Sequence, residues 1–129
     1  MKLKLLTAAL CLSALGVAAG TASAQTLAAT KERGAVRCGV NTGLVGFAAP
    51  DANGNWSGFD ISLCRAIAAA VVGDANKVRF VPTTGQTRFT ALSSGEVDVL
   101  TRNSTASFQR DTELALDFPA VNYYDGQGF

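Results

Sequence analysis

Three short apolar runs, "AVRCGVN", "VRFVP" and "VDVLT", are separated by stretches with helical spacing, and this alternation narrows the fold more than any other feature. The first run places Val36, Cys38 and Val40 on one face of a strand. The clearest helix follows, "FDISLCRAIAAAVVGD". Asp60 stands at its N-cap, Leu63, Ile67 and Val71 recur at helical spacing, and Gly73 supplies the stop. "QTRFTALSSGE" reads as a short helix with Phe89 and Leu92 on one side. "VDVLT" lacks strict alternation, which indicates burial on both faces. "SFQRDTELALDF" reads as a further helix. Repeated strand–helix units imply right-handed crossovers and a parallel sheet flanked by helices, an α/β fold. Ligands of such sheets bind at the carboxyl ends of the strands, here Asn41 to Leu44 and Thr101 to Thr105.

Around this core, "LAATKERG" reads as a short helix ended by Gly34. The stretch "TGLVGFAAPDANGNWSG" carries Asn53-Gly54, the signal of a tight hairpin. "VNYYDGQGF" reads as a final aromatic strand with no stop beyond it, so the chain reads as the front part of a longer protein. At the other end, Lys2 and Lys4 precede the apolar run "LLTAALCLSALGVAAG" and an A-x-A site, Ala22 and Ala24. This is the pattern of a cleavable signal peptide over residues 1–24, too short and Ala-rich for a good membrane span. Cys11 follows Leu10, whereas a lipoprotein cysteine would follow a small residue. The mature chain, residues 25–129, is one domain by size and leaves the cytoplasm.

Composition excludes several classes. Without Lys2 and Lys4 the chain holds nine basic and ten acidic residues, a net charge of −1. No basic tract tracks a phosphate backbone, so nucleic acid is not a partner. Histidine is absent, which removes the commonest general base and the usual zinc sites. No catalytic residue, metal or cofactor is expected. Cys38 and Cys64 fit no metal spacing; they either pair as a disulfide or pack as buried thiols.

The chemistry concentrates in "DVLTRNSTASFQR", where a strand opens into small and polar residues bracketed by Arg102 and Arg110. Ser107 can cap the following helix and puts Arg110 in its first turn, against the macrodipole. The Thr105 hydroxyl, free N–H groups and a guanidinium fork together make a carboxylate receptor. The alternative is that Arg110 pairs with Glu113 on the solvent face. Arg88 and Arg102 add positive charge, or else lie in solvent. Arg110, Thr105 and Asn103 should line one concave surface with Arg88 nearby. Asp98 and Glu96 read as solvated.

The segments "RCGVNTGLVGFAAPDANGNWSGFDISLCRAIA", "RFTALSSGEVDVL" and "RNSTASFQRDTELALDF" resemble the polar amino-acid branch of the bacterial ABC-transporter substrate-binding proteins, solute-binding protein family 3. The G-x-W-x-GFD element, the AL-x-SGEVDV element and the Thr-x(4)-Arg pair occur in that family's order. The likeness is greatest to the general L-amino-acid binders of Gram-negative bacteria, and it covers essentially the whole mature chain. It implies the first lobe of a type II periplasmic-binding-protein fold, cut before the second lobe. It also implies a non-enzymatic component that delivers an L-amino acid, polar, acidic or of broad range, to an ABC membrane permease.

In that family the arginine matching Arg110 grips the α-carboxylate, and the positions of Asn103 and Thr105 add hydrogen bonds. Arg88 matches a residue that approaches acidic side chains, and Arg102 stands beside it. Leu44 departs from the pattern, since many relatives carry an aromatic residue there. The acidic residue that receives the α-amino group belongs to the second lobe. Two alternatives share the scaffold: a periplasmic enzyme such as a cyclohexadienyl or arogenate dehydratase, and the sensing domain of a receptor.

Overall fold

The computed structural model describes residues 22–128, so residues 1–21 of the expected leader lie outside the described residues. Chain order is α1 (Ala22–Arg33), β1 (Val36–Asn41), β2 (Ala49–Pro50), β3 (Trp56–Ser57), α2 (Phe59–Val72), β4 (Val78–Thr83), α3 (Arg88–Ser93), β5 (Val99–Leu100) and α4 (Phe108–Glu113). The expected parallel sheet is present, in the order β4-β1-β5. Val36 to Asn41 pair with Val78 to Thr83, and Cys38 and Gly39 pair with Val99 and Leu100. Val36, Cys38 and Val40 are all buried, as their alternation requires. Gly39 between them gives room, since a Cβ there would lie 2.7 Å from Leu100 Cδ1.

Cys38 and Cys64 form a disulfide with Cα atoms 6.0 Å apart, which tethers α2 to β1. Both are fully buried and share a core with Val40, Ala48 and Ile61. The tether sets the rotation of α2. Its buried line is Ile61, Cys64 and Ala68, while the expected Leu63, Ile67 and Val71 flank it half-buried. The helix ends as expected at Gly73, which is left-handed and donates its N–H to Ala69 O.

Its start corrects the sequence reading. Gly58, not Asp60, is the N-cap. Gly58 has φ 122°, and a Cβ there would stand 2.3 Å from Phe47 O, a backbone approach that only glycine tolerates. That approach lets Gly46 O and Phe47 O accept from the N–H groups of Phe59 and Asp60, both at 2.9 Å. With the helix start satisfied by loop carbonyls, the Asp60 side chain turns inward, and its Oδ2 has no hydrogen-bond partner among the described residues. Burial pushes its carboxyl above the usual range, and the Arg102 charge partly opposes this.

The hairpin falls where Asn53-Gly54 puts it: Ala49 pairs with Ser57 and Pro50 with Trp56, antiparallel. Asp51 fastens the turn by accepting at 2.8 Å from the N–H groups of both Asn53 and Asn55.

Asp98 is not solvated. Its side chain is 8% exposed and pairs with Arg33 and Arg37, and it accepts from the Arg37 N–H and from Arg37 Nη2, both at 2.8 Å. The cause is register: Asp98 N donates to Arg37 O at 2.8 Å, which draws the carboxylate onto β1 beside α1. Burial raises the Asp98 pKa, but the bonds from Arg37 and the two guanidinium charges outweigh it and hold it below the usual range. A carboxyl with a depressed folded pKa contributes stability that is full above the unfolded pKa, near 4, and is lost as pH falls through the folded value. Asp98→Asn is therefore expected to cost about 2 kcal/mol near neutrality. In urea unfolding, its difference from wild type should shrink below about pH 4. A gap that persists unchanged into acid would contradict this role.

The last segment also differs from expectation. α4 stops at Glu113, because Ala115 sits at φ 50° and breaks the helix. Val121 to Gly128 form no strand. The Tyr123 ring instead stacks edge-on against Phe47 at 5.1 Å and leans on Phe59 at 6.3 Å. Aromatic packing against the β1–β2 loop replaces sheet pairing there.

Candidate ligand-binding site

Because β1, β4 and β5 run parallel, Asn41, Thr83 and Thr101 emerge at one edge of the sheet. Thr101 is buried and anchors the polar loop. Its N–H donates to Gly39 O at 2.9 Å. Its hydroxyl donates to Asp60 O at 3.2 Å and lies 3.2 Å from Cys38 Sγ, against the disulfide. From that anchor Arg102 turns back over β4, donating from Nη1 to Thr83 O at 2.5 Å and from Nη2 to Asn103 Oδ1 at 3.2 Å. Asn103 Oδ1 also accepts from Asn41 Nδ2 at 3.0 Å, which ties the loop to β1.

Two more arginines converge on the same loop. Arg88, at the start of α3, donates from Nη1 to Asn103 O at 2.9 Å. Arg110, in the first turn of α4, donates from Nη1 to Thr105 O at 2.6 Å. Ser107 caps α4 as expected, accepting from Arg110 N. The alternative pairing of Arg110 with Glu113 is not made: Glu113 Oε2 accepts from Gln109 Nε2 at 2.8 Å. Both Arg88 and Arg110 lie over the Phe89 ring, with guanidinium carbons 4.7 and 5.1 Å from its centre.

The electrostatics of this edge are one-sided. Among the described residues the ion pairs are those of Arg33 and Arg37 with Asp98, and Arg88, Arg102 and Arg110 have none. Every hydrogen bond these three make goes to a neutral oxygen. Burial, then the charge of Arg110, depresses the Arg88 pKa. Burial, then the charge of Arg88, depresses that of Arg102, with Asp60 partly offsetting. Arg88 Nε, Arg102 Nε and Ser104 Oγ are buried with no hydrogen-bond partner among the described residues. Three cations crowded without a counter-ion among the described residues are chemically suited to an anion.

Arg88, Arg102, Asn103, Thr105 and Arg110 are thus brought together. Leu44 bridges to Ala48 within the β1–β2 loop, its backbone bonded to Phe47 and Ala48. Two cavities, of about 300 and 350 Å³, lie beside Asp98 and beside Ser107 and Phe108 respectively. Sequence reasoning placed Asn41 and Thr101 at the strand ends but missed Thr83, whose position at the end of the parallel strand β4 was the available signal. It also missed the contact of Phe89 with two cations.

The model of the bacterial extracellular solute-binding proteins, family 3, matches residues 36–129. The chain belongs to this family. Its helix-flanked parallel sheet is that of the type II periplasmic-binding-protein fold. Among the relatives of this family-3 chain, the glutamate/glutamine/aspartate/asparagine-binding protein BztA of Rhodobacter capsulatus is 70% identical, over 86% of this chain and 33% of that protein. The general L-amino acid-binding periplasmic protein AapJ of Rhizobium johnstonii is 59% identical, over 100% of this chain and 38% of that protein. The family-3 chain therefore spans about a third of the length of these curated relatives. Among solved structures, an ABC transporter periplasmic binding protein from Brucella ovis with glutathione bound is 59% identical, with TM-score 0.77 over 80% of this chain and 32% of that one. The named relatives are binding proteins rather than enzymes.

Proposed function

We propose that this chain carries the carboxylate-gripping half of a periplasmic L-amino-acid-binding protein that serves an ABC importer. In this reading residues 1–24 are a cleaved leader, and residues 25–129 are the N-terminal part of the first lobe of a two-lobed domain. The observation that carries it is the cluster of Arg88, Arg102 and Arg110, unpaired with any carboxylate at the carboxyl edge of the sheet. Arg110 spends one N–H on Thr105 O and keeps its remaining donors for the two oxygens of an α-carboxylate, whose geometry they match. Asn103, its side chain held by Asn41 and Arg102, and Thr105 add hydrogen bonds to the ligand. Arg88 and Arg102 meet the ligand's second polar or acidic group, which favours the ligand classes named for BztA. The protein does no chemistry. Binding favours a closed state that the membrane permease reads.

The reading is tested by NMR titration of the chain with L-glutamate, L-glutamine, L-aspartate and L-asparagine. Saturable shifts at Arg88 and at Arg102 to Arg110 are expected. An absence of shifts with all four would overturn the reading.

A further inference from the structure

We propose that Phe89 is a positioning residue, a shared ring that holds Arg88 and Arg110 together in the anion receptor. Each guanidinium is fixed at two points. One is a backbone carbonyl of the polar loop, Asn103 O for Arg88 and Thr105 O for Arg110. The other is the Phe89 ring, 4.7 and 5.1 Å from the two guanidinium carbons. Something must offset the repulsion of two like charges held this near each other. A carboxylate would do so most strongly, but it would also neutralise the arginines and compete with the ligand for their donors. The face of an aromatic ring attracts cations through its quadrupole without carrying formal charge. Phe89 therefore lowers the cost of the cluster while leaving its net charge, and its unused donors, to an incoming anion. Arg102 is held differently, by Thr83 and Asn103, so it serves as the internal control.

The affinity part of the test rests on the amino-acid-binding reading; the positional part does not. Phe89→Leu keeps apolar bulk but removes the ring face, while Phe89→Tyr and Phe89→Trp keep the face. The arginine Nε–Hε signals of the ligand-free chain should show ring-current shifts for Arg88 and Arg110. Removing the ring abolishes these shifts by itself, so position is read from NOE contacts. Phe89→Leu should lose those of Arg88 with Asn103 and of Arg110 with Thr105 and keep those of Arg102, and Tyr and Trp should retain them all. In L-glutamate titrations well below the unfolding transition, Phe89→Leu is expected to bind about tenfold more weakly, with Tyr and Trp within about threefold of wild type. If wild type binds no L-glutamate while Phe89→Leu still loses the two contacts, the ligand reading fails and the positioning role holds. Arg88 and Arg110 contacts that persist unchanged in Phe89→Leu would overturn the proposal. So would a variant that only melts earlier while binding as wild type.

Discussion

Arg110→Ala is expected to weaken L-glutamate binding by about thirtyfold, roughly 2 kcal/mol. The magnitude follows from the setting. Arg110 is half-buried, and a solvent-accessible charge pair contributes about 1 kcal/mol at most. A guanidinium fork makes two such contacts with one carboxylate, and both are lost together. Arg110→Lys should lose nearly as much, because a single ammonium cannot engage both oxygens at once. It would also leave the Phe89 ring with a different cation at a different height. Calorimetry that finds either variant within about twofold of wild type would return Arg110 to a surface role.

Replacing both Cys38 and Cys64 with alanine is expected to cost about 3 kcal/mol in urea unfolding. The bond closes a sequence separation of 26 residues, and cross-linking a loop of that size removes unfolded-state entropy of this order. Both cysteines are fully buried, at the junction of β1 and α2. Thr101, the anchor of the ligand loop, lies against the same bond, so the double variant should also broaden the NMR signals of Arg102 and Asn103. An unfolding midpoint equal to that of wild type would show that packing alone seats α2 on β1.

The residues that sequence reading placed correctly are those whose local pattern and tertiary surroundings agree. Val36, Cys38 and Val40 alternate and are buried; Gly34 and Gly73 end helices in left-handed geometry. Ser107 caps α4, and Arg110 stands inside that turn where a macrodipole argument would not put it. The misplacements arise where distant chain supplies the partner. Asp60 is a good capping residue by type, yet Gly46 O and Phe47 O already satisfy the helix start. Asp98 looked solvated beside Glu96 until β5 paired with β1 and brought it to Arg33 and Arg37. Tyr123 and Tyr124 suit a strand, but the Phe47 and Phe59 rings capture Tyr123 instead. The same limit applies at the site. Arg102, Asn103, Thr105 and Arg110 share one stretch and were legible as a unit. The contacts from Asn41 and Phe89 depend on which segments the sheet order and α3 bring alongside, which no local pattern encodes.

The central claim is that an α-carboxylate occupies the arginine cluster, and it is tested most directly by comparing L-glutamate with its α-amide. The two ligands share size and side chain and differ in the one group that Arg110 is read to hold. The arginine Nε–Hε signals of the whole chain report which guanidinium groups respond, and NMR detects binding even when it is weak. L-Glutamate is predicted to shift Arg110 together with Arg88 and Arg102, and to leave Arg33 and Arg37 unmoved. The α-amide is predicted to bind about thirtyfold more weakly, the same loss as Arg110→Ala. Equal binding of the two ligands, or shifts confined to Arg33 and Arg37 beside Asp98, would contradict the assignment.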